Sequence, residues 1–277
     1  MRTWALSLLA AFLAVSIVSL SFVPVVGASP VTVYIDSVDL GYRVDSIGWA
    51  GSANIRLDTG SGPQPCKSYC VEWNQHISLG GVYTGTVGPA ADTSAGRGIS
   101  YILTWYHPAT SDDEAYAIQA AIWKFMPGTD PTEDTSNPVT RAYQIYSDAL
   151  GKDVTRTGDK LTLEPKIDTV EVNTPVVLTA RLVDSSGNPR SNVRILFSTT
   201  MGSLNHATTT TDSSGEATVV VTSSVPGMAQ VKAETKGNWA YIIDLGSYQD
   251  IIPLGCPTLS ATTQLWVIGE ITFFAVP

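Results

Sequence analysis

The sequence predicts a mainly β protein, with a β-rich α+β domain carrying one or two helices followed by a β-sandwich. Three observations carry this expectation. Gly 23 and Pro 16 in 277 residues, with many Ser and Thr, mark a turn-rich chain. Residues 31–103 and 176–233 read as short β-prone runs broken by Gly, Ser and Pro clusters. Helical patterning is confined to residues 111–150. A hydrophobic fraction of 44% with 15% charged residues can fill a core, and the length suits two ordinary domains.

The chain opens with Met1-Arg2, a minimal basic start, and residues 4–26 are almost wholly apolar. That run ends at Val26-Gly27-Ala28, a small-residue pattern suited to signal-peptidase cleavage after Ala28. Residues 1–28 are therefore read as a signal peptide. An uncleaved anchor is the rival reading, because the run is long enough to span a bilayer. The mature chain is expected to be secreted or held on the cell surface, with no membrane insertion after signal removal. The apolar residues 265–274 are too short and too β-rich to span, are interrupted by Glu270, and read as a strand.

The clearest helix starts at Ser111, an N-cap with Glu114 three residues on as a capping box. Asp112 and Asp113 suit the positive end of its dipole. Its body is residues 115–126, stopped by Pro127-Gly128. A second helix is expected from Pro138 over 139–150, closed by Gly151. After Leu163 only strands follow, at 176–183, 193–198, 208–211, 217–221 and 229–233, with the turns Asp184-Ser185-Ser186-Gly187 and Asp212-Ser213-Ser214-Gly215 between them. This spacing is that of a β-sandwich.

A net charge of −9, from 25 acidic and 16 basic residues, argues against nucleic acid as a partner, since no excess cation is available to displace phosphate counterions. The three cysteines, Cys66, Cys70 and Cys256, are too few for a disulfide scaffold or a four-Cys zinc site. No His/Cys/Asp spacing suggests a dedicated metal, and no cofactor is implied. An odd thiol in an exported chain needs a reason.

Two residues supply one. Gln119 shares a helix face with Ala115, Ile122 and Trp123, and that face is apolar. Its amide must find partners there or cost about 1–3 kcal/mol. The bland reading is a core glutamine bonded to strand backbone. Cys70 lies in Tyr69-Cys70-Val71-Glu72-Trp73, a strand-like segment with aromatics on both sides.

Together "YCVEW" and "AIQAAIWKF", with the intervening "ILTWYHPATSDDEAYA", resemble the thioester domains of bacterial surface adhesins over residues 31–160. Residues 164–236, through "VDSSGNPRSNVRILFS", "TTTTDSSGEATVVVTS" and "PGMAQVKAE", resemble the bacterial Ig-like modules of invasin- and intimin-type proteins. The organisation expected is a signal peptide at 1–28, a thioester-like domain at 29–163 and an Ig-like sandwich at 164–240. Residues 241–277 stay open between a last sandwich strand and pairing back to the first domain.

The first resemblance implies a Cys70–Gln119 thioester. The thiolate attacks the carboxamide, ammonia leaves, and an amine on a partner later takes the acyl group. Holding the two groups at near-attack geometry is what makes an amide a usable acyl donor, with effective molarities on the order of 10⁵–10⁸ M. The implied partner is a lysine-bearing protein or a small amine, and the reaction is a single capture rather than enzymatic turnover. Tyr69, Trp73, Trp105, Tyr106 and Trp123 are the aromatics expected to shield the bond from water.

His107 and Glu72 are the assisting candidates, with His76 weaker and His206 placed in the sandwich. If Cys70 is committed to Gln119, Cys66 is left to pair with Cys256. The competing Cys66–Cys70 bridge would abolish the thioester. Two other functions remain: a non-reactive cell-envelope protein with an Ig-like spacer, and, ranked low, a secreted cysteine hydrolase.

Overall fold

A computed structural model describes residues 29–44, 48–72, 75–126, 139–259 and 262–276. The expected signal peptide, Trp73 and the start of the second helix at Pro138 lie outside the described residues. The fold is mainly β, and it is built from a closed barrel, a group of helices and a sandwich.

The barrel begins with β1 (Ser29–Val44), β2 (Gly48–Asp58), β3 (Gln64–Cys70) and β4 (Val82–Pro89). Val31, Val33 and Ile35 alternate inward along β1, as a strand's two-residue side-chain period requires, and meet Ile55 and Leu57 of β2. Gly41 of β1 and Gly51 of β2 are paired and lie back to back. A Cβ on Gly41, whose φ is +137°, would sit 2.3 Å from the Ala50 carbonyl oxygen, so only glycine permits this approach.

Three helices follow: α1 (Ser94–Trp105), α2 (Asp112–Trp123) and α3 (Val139–Ala149). Helix α1 corrects the expectation of strands alone up to residue 103. Its glycines disguise it, since glycine disfavours helix by about 1 kcal/mol relative to alanine. Packing demands them: a Cβ on Gly96 would meet the Ala91 carbonyl oxygen at 2.0 Å, and one on Gly98 would enter the Phe125 ring. Thr93 caps α1 by accepting from the Gly96 N–H at 3.2 Å.

At α2, Ser111 Oγ accepts from the Glu114 N–H at 3.2 Å. The expected capping box is only half made. The Glu114 carboxylate turns instead to Arg141 of α3, in a bidentate pair at 2.8 and 2.9 Å. Asp112 accepts from the Gly41 N–H at 3.0 Å and Asp113 from the Tyr42 hydroxyl, so the acidic first turn also fastens α2 to β1.

The sandwich comprises β5 (Lys160–Glu164), β6 (Ile167–Glu171), β7 (Val176–Val183), β8 (Arg194–Thr199), β9 (Ser203–Leu204), β10 (Thr208–Thr210), β11 (Glu216–Thr222) and β12 (Gly227–Asn238). The remaining strands are β13 (Tyr241–Asp244), β14 (Ile251–Leu254) and β15 (Thr262–Phe274). The four-stranded sheet runs β5-β7-β11-β9 and the five-stranded one β10-β8-β12-β15-β6. Leu178, Ala180, Val219, Val221, Val231 and Phe273 fill the space between them.

The strands after residue 240 serve both parts. Strands β13 and β14 enter the barrel, which closes in the order β1-β2-β3-β14-β13-β4, whereas β15 returns to pair with β12 over twelve residue pairs. No helix of the described residues is long and apolar enough to cross a membrane.

Candidate functional site

Cys70 ends β3 with β14 on one side, where it is level with Ile251. On its other side the β2–β3 ladder stops at the Ala53–Ser68 pair, while β2 stays paired with β1 as far as Gly48. The Cys70 N–H and C=O are thus left without a strand partner. Gln119 takes that place: its Oε1 accepts from the Cys70 N–H at 2.8 Å, and its Nε2 donates to the Cys70 carbonyl at 2.7 Å. The side-chain amide copies a strand's backbone amide and continues the ladder from a helix.

Burial makes these bonds obligatory. Gln119 is 0% exposed, and α2 is buried on every side from Ala115 to Trp123, not along one apolar face. With both polar ends paired, the glutamine is held in one rotamer with its carboxamide against the Cys70 backbone. The thiol is free and half-buried, and burial pushes its pKa up to about 12. It is therefore almost wholly protonated at neutral pH.

Cys70 also lines a cavity of about 550 Å³, together with Arg43, Trp49, His76, Ile77 and Gln249 among others. Its walls are largely apolar. The Gln249 amide donates to the Glu72 carbonyl, and the Asp250 N–H reaches the Glu72 carboxylate at 3.4 Å, tying the β13–β14 turn beside the end of β3.

The other sequence candidates divide. Tyr69 is fully buried on the helix side of β3, its hydroxyl without a hydrogen-bond partner, and burial raises its pKa. His107 packs edge-on to Tyr69 at 5.9 Å, with Nδ1 buried and unpartnered and its pKa lowered chiefly by burial. It does not line the cavity that Cys70 lines. Glu72 does not line it either.

Trp123 lies in the helical core. Trp105 is a correction to the expected shield. It faces the sandwich, with the Arg194 guanidinium 5.0 Å and the Lys236 ammonium 4.8 Å from its ring. Tyr106 likewise turns to α3 and donates to Asp148 at 2.6 Å. The aromatic wall of the cavity is Trp49, which sequence reasoning missed, as it did Gln249. Both come from segments distant in sequence, and no local motif marks them.

Cys66 and Cys256 form a disulfide, with their Cα atoms 4.9 Å apart, inside the barrel core. The Cys66–Cys70 alternative is thereby absent from this structure. The bridge joins β3, four residues before Cys70, to the residue that follows β14 and Gly255.

Two family models match parts of the chain. Residues 67–155, which include Cys70 and Gln119, match the family model of the thioester domain. Residues 171–240 match that of the bacterial Ig-like domain, group 1. Among solved structures, the thioester domain of the Enterococcus faecium TIE86 protein is 12% identical, with 91% of this chain and 99% of that chain covered and a TM-score of 0.37. A C-terminal 282-residue fragment of intimin, in complex with the intimin-binding domain of its translocated receptor, is 21% identical, with 44% and 34% covered and a TM-score of 0.27. The present chain thus spans about a third of that fragment's length. Invasin, a bacterial integrin-binding protein, is 13% identical, with 90% of this chain and 32% of that chain covered and a TM-score of 0.24. Scores this low carry no argument about the site. No curated protein matches the chain.

Proposed function

We propose that the protein is a surface or secreted covalent-capture module, in which Cys70 and Gln119 form an internal thioester that acylates an amine on a partner. The observation that carries this reading is the clamp on the Gln119 carboxamide by both backbone groups of Cys70. The Cys70 N–H polarises the Gln119 carbonyl and is placed to hold the oxyanion that forms when sulfur adds to Cδ. As the tetrahedral species collapses, the C–N bond breaks and the nitrogen leaves as ammonia, taking up the thiol proton. An amine then adds to the same carbon, the C–S bond breaks, and Cys70 is left as a thiol. The matches to thioester and Ig-like domains support a surface role in which the sandwich carries the reactive part. Each molecule reacts once.

Intact mass of the purified protein tests this. The expected result is a mass lower by one ammonia, converted by methylamine to an adduct at Gln119 and absent in Cys70→Ala. An unshifted mass with a titratable Cys70 thiol would leave the second reading, a non-reactive envelope protein. That reading is favoured by one specific fact: the two hydrogen bonds satisfy a purely structural glutamine equally well.

A further inference from the structure

We infer that the Cys66–Cys256 disulfide is a mechanical link. It carries tension between a partner captured at Gln119 and the chain that follows β15, and it keeps that tension out of the sandwich. The inference rests on the thioester reading above, which puts a covalent bond to a partner on Gln119. A surface module bonded to a partner is pulled whenever the two bodies separate. The covalent route between the points of attachment then decides which parts of the fold can be drawn out.

The order of elements sets that route. The bridge closes a ring of chain with a sequence separation of 190. Gln119 divides the ring into a short arm, residues 66–119, and a long arm, residues 119–256. The long arm holds α3, the strands β5 to β12, and β13 and β14. Among the described residues, β15 is the sandwich strand that follows the ring. A taut ring is limited by its shorter arm, so the long arm stays slack and its strands are not stretched. Without the bridge, the long arm is the covalent connection from Gln119 to β15.

The bridge also sits where a pull would otherwise reach the site. Strand β15 meets the pull first, and its register sets Thr262 beside Asn238 and Phe273 beside Gly227. Asn238 is the end of β12 held to α1, through its N–H on the Thr104 hydroxyl at 2.8 Å. A pull on the Phe274 end therefore runs along β15 away from that junction, and it loads the twelve pairs together in shear. Once they part, the next strand in line is β14, which pairs Ile251 with Cys70 and Leu254 with Lys67. Cys256 lies two residues beyond Leu254 and is tied to Cys66, the neighbour of Lys67 on β3. Tension thus passes into β3 at the foot of this ladder, and β14 is not peeled from Cys70. Both cysteines are buried in the barrel core, at 7% and 2% exposure, which keeps thiols in solution from the bridge while the barrel is folded.

Single-molecule pulling of the full chain tests the link. One handle is fixed at Pro277, and the other is a biotinylated alkylamine taken up by the thioester at Gln119. The long arm exceeds the short one by about 84 residues, or about 290 Å when drawn out. The wild type is expected to reach full extension shorter by this amount than the Cys66→Ala, Cys256→Ala double variant. Reductant admitted after the barrel has opened is expected to release the missing length. Equal final lengths in the two proteins would overturn the inference. A second pair, Thr110→Cys with Cys70→Ala, compared with and without the bridge, takes a maleimide handle on an exposed residue just before α2 and needs no thioester. A wild type that takes up no biotinylated amine overturns the thioester reading, and the length contrast from residue 110 then decides the mechanical link by itself.

Discussion

The Arg156 guanidinium lies 3.8 Å above the centre of the Trp239 ring. Around this stack it bonds Asp92 at 2.8 and 3.0 Å and Asp153 at 3.2 Å. Asp92 precedes α1, and Trp239 follows the end of β12, so one side chain joins helices to sandwich. Beside it the Thr104 hydroxyl accepts from the Asn238 N–H at 2.8 Å, and the Ser100 hydroxyl from the Ala240 N–H at 3.0 Å. Replacement of Arg156 by Met is expected to lower stability by about 2 kcal/mol, through lost cation–π and charged hydrogen bonds. Urea unfolding measures the loss, and two separated transitions in place of one would show the junction coming apart.

The same junction sets an acid response. The Arg156 hydrogen bonds hold Asp92 at a pKa of about 2, below its ordinary 3.8. A depressed carboxylate adds stability that is present above the ordinary value and is lost as pH falls through the lower one. Melting temperature should therefore fall between about pH 4 and pH 2. Asp92→Asn should start lower at pH 7 and show a shallower fall across that window.

Gln119 is expected to be costly to replace whether or not it reacts. Gln119→Ala removes both partners of the Cys70 backbone and opens a void in a helix buried on all sides, at a cost of about 3–5 kcal/mol. Gln119→Glu keeps the volume but sets an acceptor against the Cys70 carbonyl, so it should fold with a protonated carboxyl and lose stability as pH rises. Denaturant midpoints for the two variants, compared at pH 5 and 8, check both statements.

The Cys66–Cys256 bridge spans a sequence separation of 190 residues. Chain-entropy reasoning puts its contribution at about 5 kcal/mol as an upper figure. The Cys66→Ala, Cys256→Ala double variant should melt well below wild type while still forming the Cys70–Gln119 pair. Thermal unfolding with intact mass separates those effects, and a variant that melts as wild type would remove the bridge from the stability account.

The sequence was legible where the signal is local. Ser111 and the acids after it marked the start of α2, and Cys70 with Gln119 stood out through chemistry. Turn signals such as Asp184-Ser185-Ser186-Gly187 spaced the sandwich strands. It was opaque where the reason for a residue lies across the fold. Residues 94–103 read as part of the β-prone stretch because the Ala91 carbonyl and the Phe125 ring that require Gly96 and Gly98 are invisible in a window. Trp105 read as part of a shield because nothing local says that Arg194 and Lys236 will face it. Barrel closure depends on β13 meeting β4 and β14 meeting β3, pairings that join residues more than 150 apart.

The return of the chain from sandwich to barrel and back has a consequence for any attempt to divide the molecule. A fragment ending at residue 163 would lack β13 and β14 and present bare edges on β3 and β4. A fragment of residues 164–240 would lack β15 and leave β12 with twelve residues of unsatisfied edge. Both are invitations to aggregate. Neither part can be excised or transplanted as a single length of chain, so a shuffling event has to move the reactive part and its sandwich together.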